Sequence, residues 1–230
     1  MHADSDRHGT PRGTSETNRS VRSVLALRPA GGSSPLAAYA VLAGAVTYTS
    51  RQERAALLAP DPQDLLARRA ALLASRAAQH QPHRADHYLR YSVLDQAIRA
   101  AHDGVLPRSD EDIVRLVLAL RDHVARDACL EQASDELRDG AVQLWRFLVR
   151  ATPGPDRAEP AVLLAVYECL RGDGVAAGMA LEHARAADPR HRLTELITDC
   201  LACGLPPAQL QTIMHRTFVD ALDTVMKSSP

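Results

Sequence analysis

Two cysteines near the end of the chain have the spacing of a redox or metal-binding pair. They stand in the segment Cys200-Leu201-Ala202-Cys203, which has the CxxC spacing of thioredoxin-like motifs and zinc knuckles. A structural zinc site needs four ligands, and neither a second CxxC nor a His-x-x-x-His follows; a thioredoxin-like motif belongs in a βαβ unit, which this sequence lacks. Cys200 and Cys203 are therefore candidate metal ligands, but we interpret them as two apolar thiols of one helix.

A second candidate metal site is a group of histidines in the middle of the first half of the chain. His83 and His87 stand four residues apart, so on one helix they would aim both imidazoles at one metal, with His80 close by. However, Pro82 breaks this segment, and no Glu completes an HExxH motif. We keep His83 and His87 as metal-ligand candidates and interpret the segment as the solvated start of a helix.

The sequence predicts no catalytic residue and no cofactor. The acidic run Ser109-Asp110-Glu111-Asp112 could suggest acid–base chemistry, but it fits the first turn of a helix, where carboxylates complement the helix macrodipole. No GxSxG elbow, phosphate-binding loop or Rossmann fingerprint occurs, because Gly172-Asp173-Gly174 is a turn and Gly31-Gly32 is not followed by Lys and Ser or Thr. We therefore favour a protein that is not an enzyme.

Helices must position all of these groups. The apolar spacing and the capping residues predict segments at about residues 34–44, 50–59, 62–79, 85–102, 109–120, 123–132, 134–152, 160–170, 175–187, 191–203 and 207–226. Nothing alternates with the period of a strand, and short connections make neighbouring helices antiparallel. The predicted fold is all-α, with about 9–11 helices stacked as antiparallel hairpins.

Composition narrows the class of protein further. The chain has 230 residues, of which 46% are hydrophobic and only 3% aromatic, which favours helix over sheet. With 27 Lys and Arg against 28 Asp and Glu, there is no basic excess to bind nucleic acid. The sequence contains neither a long apolar run for a membrane span nor a secretory signal, and we expect a cytoplasmic protein with reduced thiols.

The chain divides into two parts on composition. Residues 1–33 are polar and are predicted to form a disordered tail, because they cannot bury enough apolar surface to offset their ordering entropy. Residues 34–227 are predicted to form a single all-helical domain. In that domain Trp145 lies at core-compatible spacing with Val142, Leu148 and Val149, so we expect it to be buried.

One stretch of the domain predicts a hairpin of tetratricopeptide (TPR) type. A TPR unit places Gly-Asp at its inter-helix turn, small residues on the second helix and Asp-Pro at its end. Those positions are matched here by Gly172, Asp173, Ala177, Leu181, Ala184, Asp188 and Pro189. The preceding helix departs from the pattern at Ala161 and Glu168, and no second copy follows at a spacing of about 34 residues. The C-terminal portion is therefore TPR-like in one hairpin only.

Three stretches in a fixed order carry a family resemblance. They are Ser34-Pro35-Leu36-Ala37-Ala38 with Ser50-Arg51 and Leu58-Ala59-Pro60; Leu118 to Asp122 with Leu144-Trp145 and Pro153-Gly154-Pro155; and Gly172-Asp173-Gly174 with Asp188-Pro189 and Gly204-Leu205-Pro206-Pro207. Over about residues 34–210 the chain resembles the actinobacterial domain-of-unknown-function family 4192. Members of that family look like two-part proteins with an α/β N-terminal half, and this chain resembles their helical C-terminal half alone. The resemblance implies no reaction.

We expect a non-catalytic interaction or scaffold module with a helix-lined groove near residues 160–205 for a protein or peptide partner. Covering of that face by the predicted helix 207–226 would argue against it. Because aromatic residues are scarce, binding should depend on Leu and Arg. A homo-oligomer is compatible with the sequence.

Two alternatives belong to other classes. The first is a small-ligand or metal-binding protein, or an enzyme, with an inter-helix pocket that uses His80, His83 and His87 or Cys200 and Cys203. The second is a DNA-associated regulator that uses an arginine-bearing tail, with Arg7, Arg12, Arg19 and Arg22.

Overall fold

A computed structural model of the chain describes Arg54 and residues 56–79, 87–130 and 136–227. All of these residues belong to one compact unit, Ser33–Pro230. The helices are α1 (Gln63–Gln79), α2 (His87–His102), α3 (Asp110–Leu120), α4 (His123–Ala128), α5 (Arg138–Ala151), α6 (Ala158–Leu170), α7 (Gly174–Ala187), α8 (Arg192–Ala202) and α9 (Pro207–Lys227), with a 3-10 turn at Gly154–Arg157. In these ranges there is no strand, and the predicted all-α fold is confirmed.

Local capping chemistry explains where several helices begin. The Ser109 hydroxyl accepts a hydrogen bond from the Asp112 N–H at the start of α3, 3.1 Å away. Asp173 caps α7 in the same way through the Ala176 N–H, at 2.9 Å. Such caps satisfy backbone donors that have no partner inside the helix. The sequence also suggested Ser134 as the cap of the helix that follows it, but α5 begins at Arg138 with Leu137 at its N-cap and no side-chain cap. The predicted tail and the predicted helix at residues 34–44 lie outside the described residues.

Apart from the starts of α2 and α5, two helix boundaries differ by two residues or more from the predicted ones. Helix α6 begins at Ala158 rather than at Pro160, because a proline in the first turn lacks only an N–H that needs no partner inside the helix. Helix α4 ends at Ala128, whereas the sequence predicted a helix to about residue 132, and residues 131–135 lie outside the described ranges.

Helix α6 forms the centre of the core. Ala158 and Pro160–Leu170 are all buried, and α6 packs against α5, α7, α8 and α9. Alanines allow the α6–α7 hairpin to close tightly, since Ala161, Ala165, Ala177, Ala180 and Ala184 are almost or completely inaccessible. Close backbones and small side chains give the contact its packing density.

Large aromatic side chains fill the core next to this hairpin. Trp145 is fully buried, as its spacing predicted, and meets the Tyr167 ring edge-on with 6.4 Å between centroids. The Tyr167 hydroxyl donates to the Cys129 carbonyl oxygen at 2.7 Å.

Helices α1, α2 and α3 pack on the other side of α5 and α4. Helix α2 packs against α3, α4 and α5, and α1 packs against α3. The close approach of α2 and α5 depends on Gly140, because a Cβ there would lie 2.5 Å from the His102 backbone nitrogen. None of the helices in the described ranges is both long enough and apolar enough to cross a membrane.

Candidate functional site

The CxxC pair does not present two thiols to one site. Cys200 is buried on α8, whereas Cys203 is exposed just after that helix. Burial raises the pKa of Cys200 to about 11 and that of the neighbouring Cys169 to about 12, which keeps both sulfurs as thiols at neutral pH. Within the ranges given above, no three His, Cys, Asp or Glu side chains are grouped as a metal site would require.

Of the histidine group, only His87 lies in the described part of the chain. It is the first residue of α2, and its Nδ1 lies 2.6 Å from Oδ2 of Asp122. His80 and His83 lie outside the described residues, as do Arg7, Arg12, Arg19 and Arg22. Within the described residues, the partner of His87 is the Asp122 carboxylate.

Asp122 joins three helices. Its side chain is only 3% exposed; one oxygen accepts from Arg90 at 2.8 Å and faces His87, and the other accepts from the N–H groups of Val124 and Ala125 at the start of α4. Burial alone would raise the pKa of Asp122, but the hydrogen bonds from Arg90, His87 and Ala125 outweigh it and hold the pKa below its ordinary value. Asp122 thus stays charged and fixes α2 and α4 at the end of α3.

An open groove of about 920 Å³ begins at this junction and runs between α1 and α2 over α3. Its apolar residues come from all three helices, and they are Leu72, Ala77, Leu89, Val93, Val114, Leu118 and Ala119. We call this surface the α1–α3 groove. Leu89 is 57% exposed, so apolar surface at the groove remains open to a ligand.

Charged side chains surround the apolar floor. They are Arg76, Arg90, Glu111, Asp112, Arg115, Arg121 and Asp122. Some of them are already paired within the chain: Arg121 makes two hydrogen bonds to Asp156, at 2.6 and 2.9 Å. That side of the groove is therefore held in place by its own ion pair.

A buried arginine holds α1, the first wall of the groove, in position. Arg69 donates to Asp61 at 2.7 Å, to Asp110 at 2.8 Å and to the Ala151 carbonyl at 3.0 Å, and so connects α1 with the start of α3 and the end of α5. Arg68 also bonds to Asp110. The hydrogen bond from Arg68 and, to a smaller extent, the one from Arg69 lower the pKa of Asp110.

The α1–α3 groove lies outside residues 160–205, where we expected a groove. Within that range α6 is buried along its length and is covered in part by α9. Ion pairs lie at the start of α6. Arg126 donates to Glu159 at 2.8 Å, and Glu159 lies 3.2 Å from His191 Nε2. Burial alone would raise the pKa of Glu159, but these two partners lower it.

The residues of the TPR-like motif lie in the turn and in the buried contact of the α6–α7 hairpin. Gly172 adopts a positive φ of 79° at the hairpin turn, a conformation that favours glycine. Ala177, Leu181 and Ala184 are buried against α6, Asp188 follows the last residue of α7, and Pro189 is exposed. These residues build the hairpin.

The sequence analysis did not identify the groove residues, because they continue the apolar face that each helix turns toward the core. Leu72, Leu89 and Leu118 stand beside core positions on their helices, where a pattern analysis assigns them to the interior. One signal was available: Leu and Arg alternate at helical spacing, as in Leu72 with Arg76 and Leu118 with Arg115. The lining contains Leu72, Leu89 and Leu118 together with four arginines.

Comparison with known proteins gives one finding. A family model described as "Domain of unknown function (DUF4192)" matches residues 27–208, which include the α1–α3 groove and the Asp122 junction. No curated protein and no solved structure matches the chain.

Proposed function

The chain belongs to the DUF4192 family, and on this premise we propose that it is a non-catalytic interaction module that holds a partner polypeptide in the α1–α3 groove. The observation that carries the proposal is an apolar floor left accessible between three helices and bordered by charged residues. Contiguous exposed apolar surface with a polar rim is typical of protein-binding sites. An amphipathic helix laid into a groove between helices is a common form of such recognition.

The remainder of the domain serves as the scaffold in this proposal. The α6–α7 hairpin, which we propose to be TPR-like, is closely packed because buried alanines line both helices. Arg69 and Asp122 then fix α1 and α2 relative to α3 through polar contacts of 2.6 to 2.8 Å. A preformed groove lowers the ordering cost of binding. We also propose a cytoplasmic location.

His87 has a structural role in this proposal. Its Nδ1 lies 2.6 Å from Oδ2 of Asp122, and the other oxygen of Asp122 caps α4. The pair therefore holds the start of α2 against the start of α4.

A second candidate is a small amphipathic ligand in the same groove. The volume of about 920 Å³ falls within the range of roughly 300–1,000 Å³ that is usual for ligand pockets. The Arg90–Asp122–His87 cluster would then provide polar contacts at one end. Thermal stabilisation of the wild-type chain, but not of Leu118→Glu, by a low-molecular-weight lysate fraction would favour this candidate over a polypeptide partner.

A matched pair of substitutions tests the interaction module. Leu89 in the groove and Val175 on α7 are both 57% exposed, so Leu89→Glu and Val175→Glu add the same charge at the same exposure. In affinity capture from host lysate, we expect a partner that binds the wild type and Val175→Glu equally but is lost with Leu89→Glu. If no captured protein depends on Leu89, the proposal is wrong.

A further inference from the structure

The end of α8 brings two cysteines into the range of a disulfide bond. Cys200 stands in the last turn of the helix, and Cys203 is the C-cap residue, with φ and ψ of −76° and −20° to 0° in the helical region, ψ being −4°. The Cys203 N–H donates to the Asp199 carbonyl at 2.9 Å, so the helical path continues to the second cysteine. Residues three positions apart on this path have Cα atoms about 5 Å apart, and disulfides usually join Cα atoms about 4.4–6.8 Å apart.

Two further backbone hydrogen bonds fix this end of α8. The Leu205 N–H donates to the Cys200 carbonyl at 3.2 Å, and the Gly204 N–H donates to the Leu201 carbonyl at 3.1 Å. Together with the positive φ of 65° at Gly204, they form the Schellman arrangement that ends many helices. The backbones of the two cysteines are therefore held at a separation that suits a disulfide, and rotation of the side chains is enough to bring the sulfurs together.

The two thiols differ in their access to solvent. Cys203 is exposed, whereas the other three cysteines of the chain are buried. Burial is the main cause of the raised pKa values of Cys169 and Cys200, and a neighbouring sulfur adds to each of them, that of Cys200 in the first case and that of Cys203 in the second. The three sulfurs thus lead from the core to the surface, and a dissolved oxidant meets Cys203 first.

We propose that Cys200 and Cys203 are a redox-active dithiol, which a small disulfide such as oxidised glutathione converts into a disulfide within α8. The Cys203 thiol loses its proton and attacks one sulfur of the small disulfide, whose S–S bond breaks and releases one small thiol. The Cys200 thiol then loses its proton and attacks the Cys203 sulfur of this mixed disulfide, and the second small thiol leaves. The chain gives up two electrons and two protons, and the small disulfide takes up both.

The second of these steps limits the rate. Burial raises the pKa of Cys200 to about 11, so only a small share of this thiol is in the attacking thiolate form at neutral pH. The decay of the mixed disulfide should therefore become about tenfold faster for each pH unit between about pH 7 and pH 9.

The disulfide also connects the redox state with the packing of α8 on α6. In the reduced chain Cys200 is only 3% exposed and belongs to the core, and α8 packs against α6. To bond with the exposed Cys203, its sulfur must turn away from this place, which leaves a void in a closely packed region. We expect oxidation to loosen α8 from α6.

Thiol mapping of the full chain tests the dithiol. The chain is incubated with mixtures of oxidised and reduced glutathione, quenched with acid and digested without reduction. Trypsin releases residues 193–216, which contain both cysteines. As the oxidised share rises, this peptide should lose two hydrogen atoms, and the thiols that titrate in denaturant should fall from the four of the sequence by half.

Three variants assign the step to each cysteine. Cys203→Ser should abolish the reaction. Cys200→Ser should stop it at the mixed disulfide on Cys203, since the second attacking sulfur is missing. Cys169→Ala, which removes the buried neighbour, should leave formation of the disulfide unchanged.

Other results would overturn the proposal. A mixed disulfide on Cys203 of the wild type that persists at about pH 9 would show that the sulfur of Cys200 does not reach it. A bond between Cys169 and Cys200, or a Cys203 that does not react in the folded chain, would also contradict the assignment. Hydrogen exchange tests the effect on packing: the amides of α8 should exchange roughly tenfold faster in the oxidised chain, and those of α3 should not change. Equal protection of α8 in both states would refute the loosening.

Discussion

Helices α3 and α6 are similar in sequence but lie in different surroundings. Both are rich in Val and Leu. In α6, Ala158 and Pro160–Leu170 are buried on every side. In α3, one face is buried at residues such as Ile113 and Leu120, while Leu118 and Arg115 line the groove. The comparison teaches that an apolar helix becomes a binding surface only where its neighbours leave part of it uncovered.

The largest expected effect compares one leucine from each helix. Leu164→Ala in α6 should lower the free energy of unfolding by about 2–5 kcal/mol, because it opens a cavity in a site that cannot collapse. Leu118→Ala in the groove should cost only about 1 kcal/mol, since its side chain is partly exposed already. Chemical denaturation of both variants measures the difference. Equal costs would mean that the groove is packed like the core.

A smaller effect concerns the junction at the end of the groove. Asp122→Ala removes the cap of α4 and leaves Arg90 and His87 without their carboxylate, so we expect a loss of about 2–3 kcal/mol at neutral pH. Asp156→Ala, which breaks the more exposed pair with Arg121, should cost less than about 1 kcal/mol.

The cost of Asp122→Ala should also depend on pH. Because the folded-state pKa of Asp122 is lowered, its contribution is present above the unfolded-state pKa and is lost as the pH falls through the folded-state value. The gap between wild type and variant should therefore narrow in acid. A gap that stays constant would show that the carboxylate charge contributes nothing.

Substitution of two glycines compares a site where backbones touch with a site of ordinary helix packing. Gly140→Ala should destabilise the chain by about 1–3 kcal/mol, because the new methyl group meets the His102 backbone. Gly178→Ala, whose Cβ would meet only a Leu201 methyl at 4.0 Å, should be neutral or stabilising by up to about 1 kcal/mol through helix propensity. Thermal unfolding of the two variants gives opposite shifts if α2 and α5 are in backbone contact.

The smallest effect that we expect is a change, caused by Glu168, in how the free energy of unfolding depends on pH. Burial raises the pKa of Glu168 although Arg146 lies 2.7 Å away and opposes the shift. A raised folded-state pKa gives stability that is present below the unfolded-state pKa and is lost as the pH rises through the folded-state value. Glu168→Gln should therefore gain stability relative to the wild type across that window. A parallel pH dependence of the two chains would contradict this account.

The helices could be predicted from the sequence because their signals are local. Ser109 caps the start of α3, and Asp173, predicted as part of the turn before α7, caps that helix. The burial of Trp145 followed from its spacing alone. The candidate site could not be predicted in this way, because Asp122, Arg90 and His87 meet only when α2, α3 and α4 pack together.

The all-α class, most helix boundaries and the family could be predicted from the sequence, since helical periodicity and capping act within a few residues of each other. Which apolar faces are covered became clear only from the packing of the helices. It buried α6 among four helices, left α3 open between α1 and α2, and gave Cys200 and Cys203 different surroundings. Burial depends on contacts between residues far apart in the chain. A stripe of Leu and Val therefore has the same sequence pattern whether a neighbouring helix covers it or not.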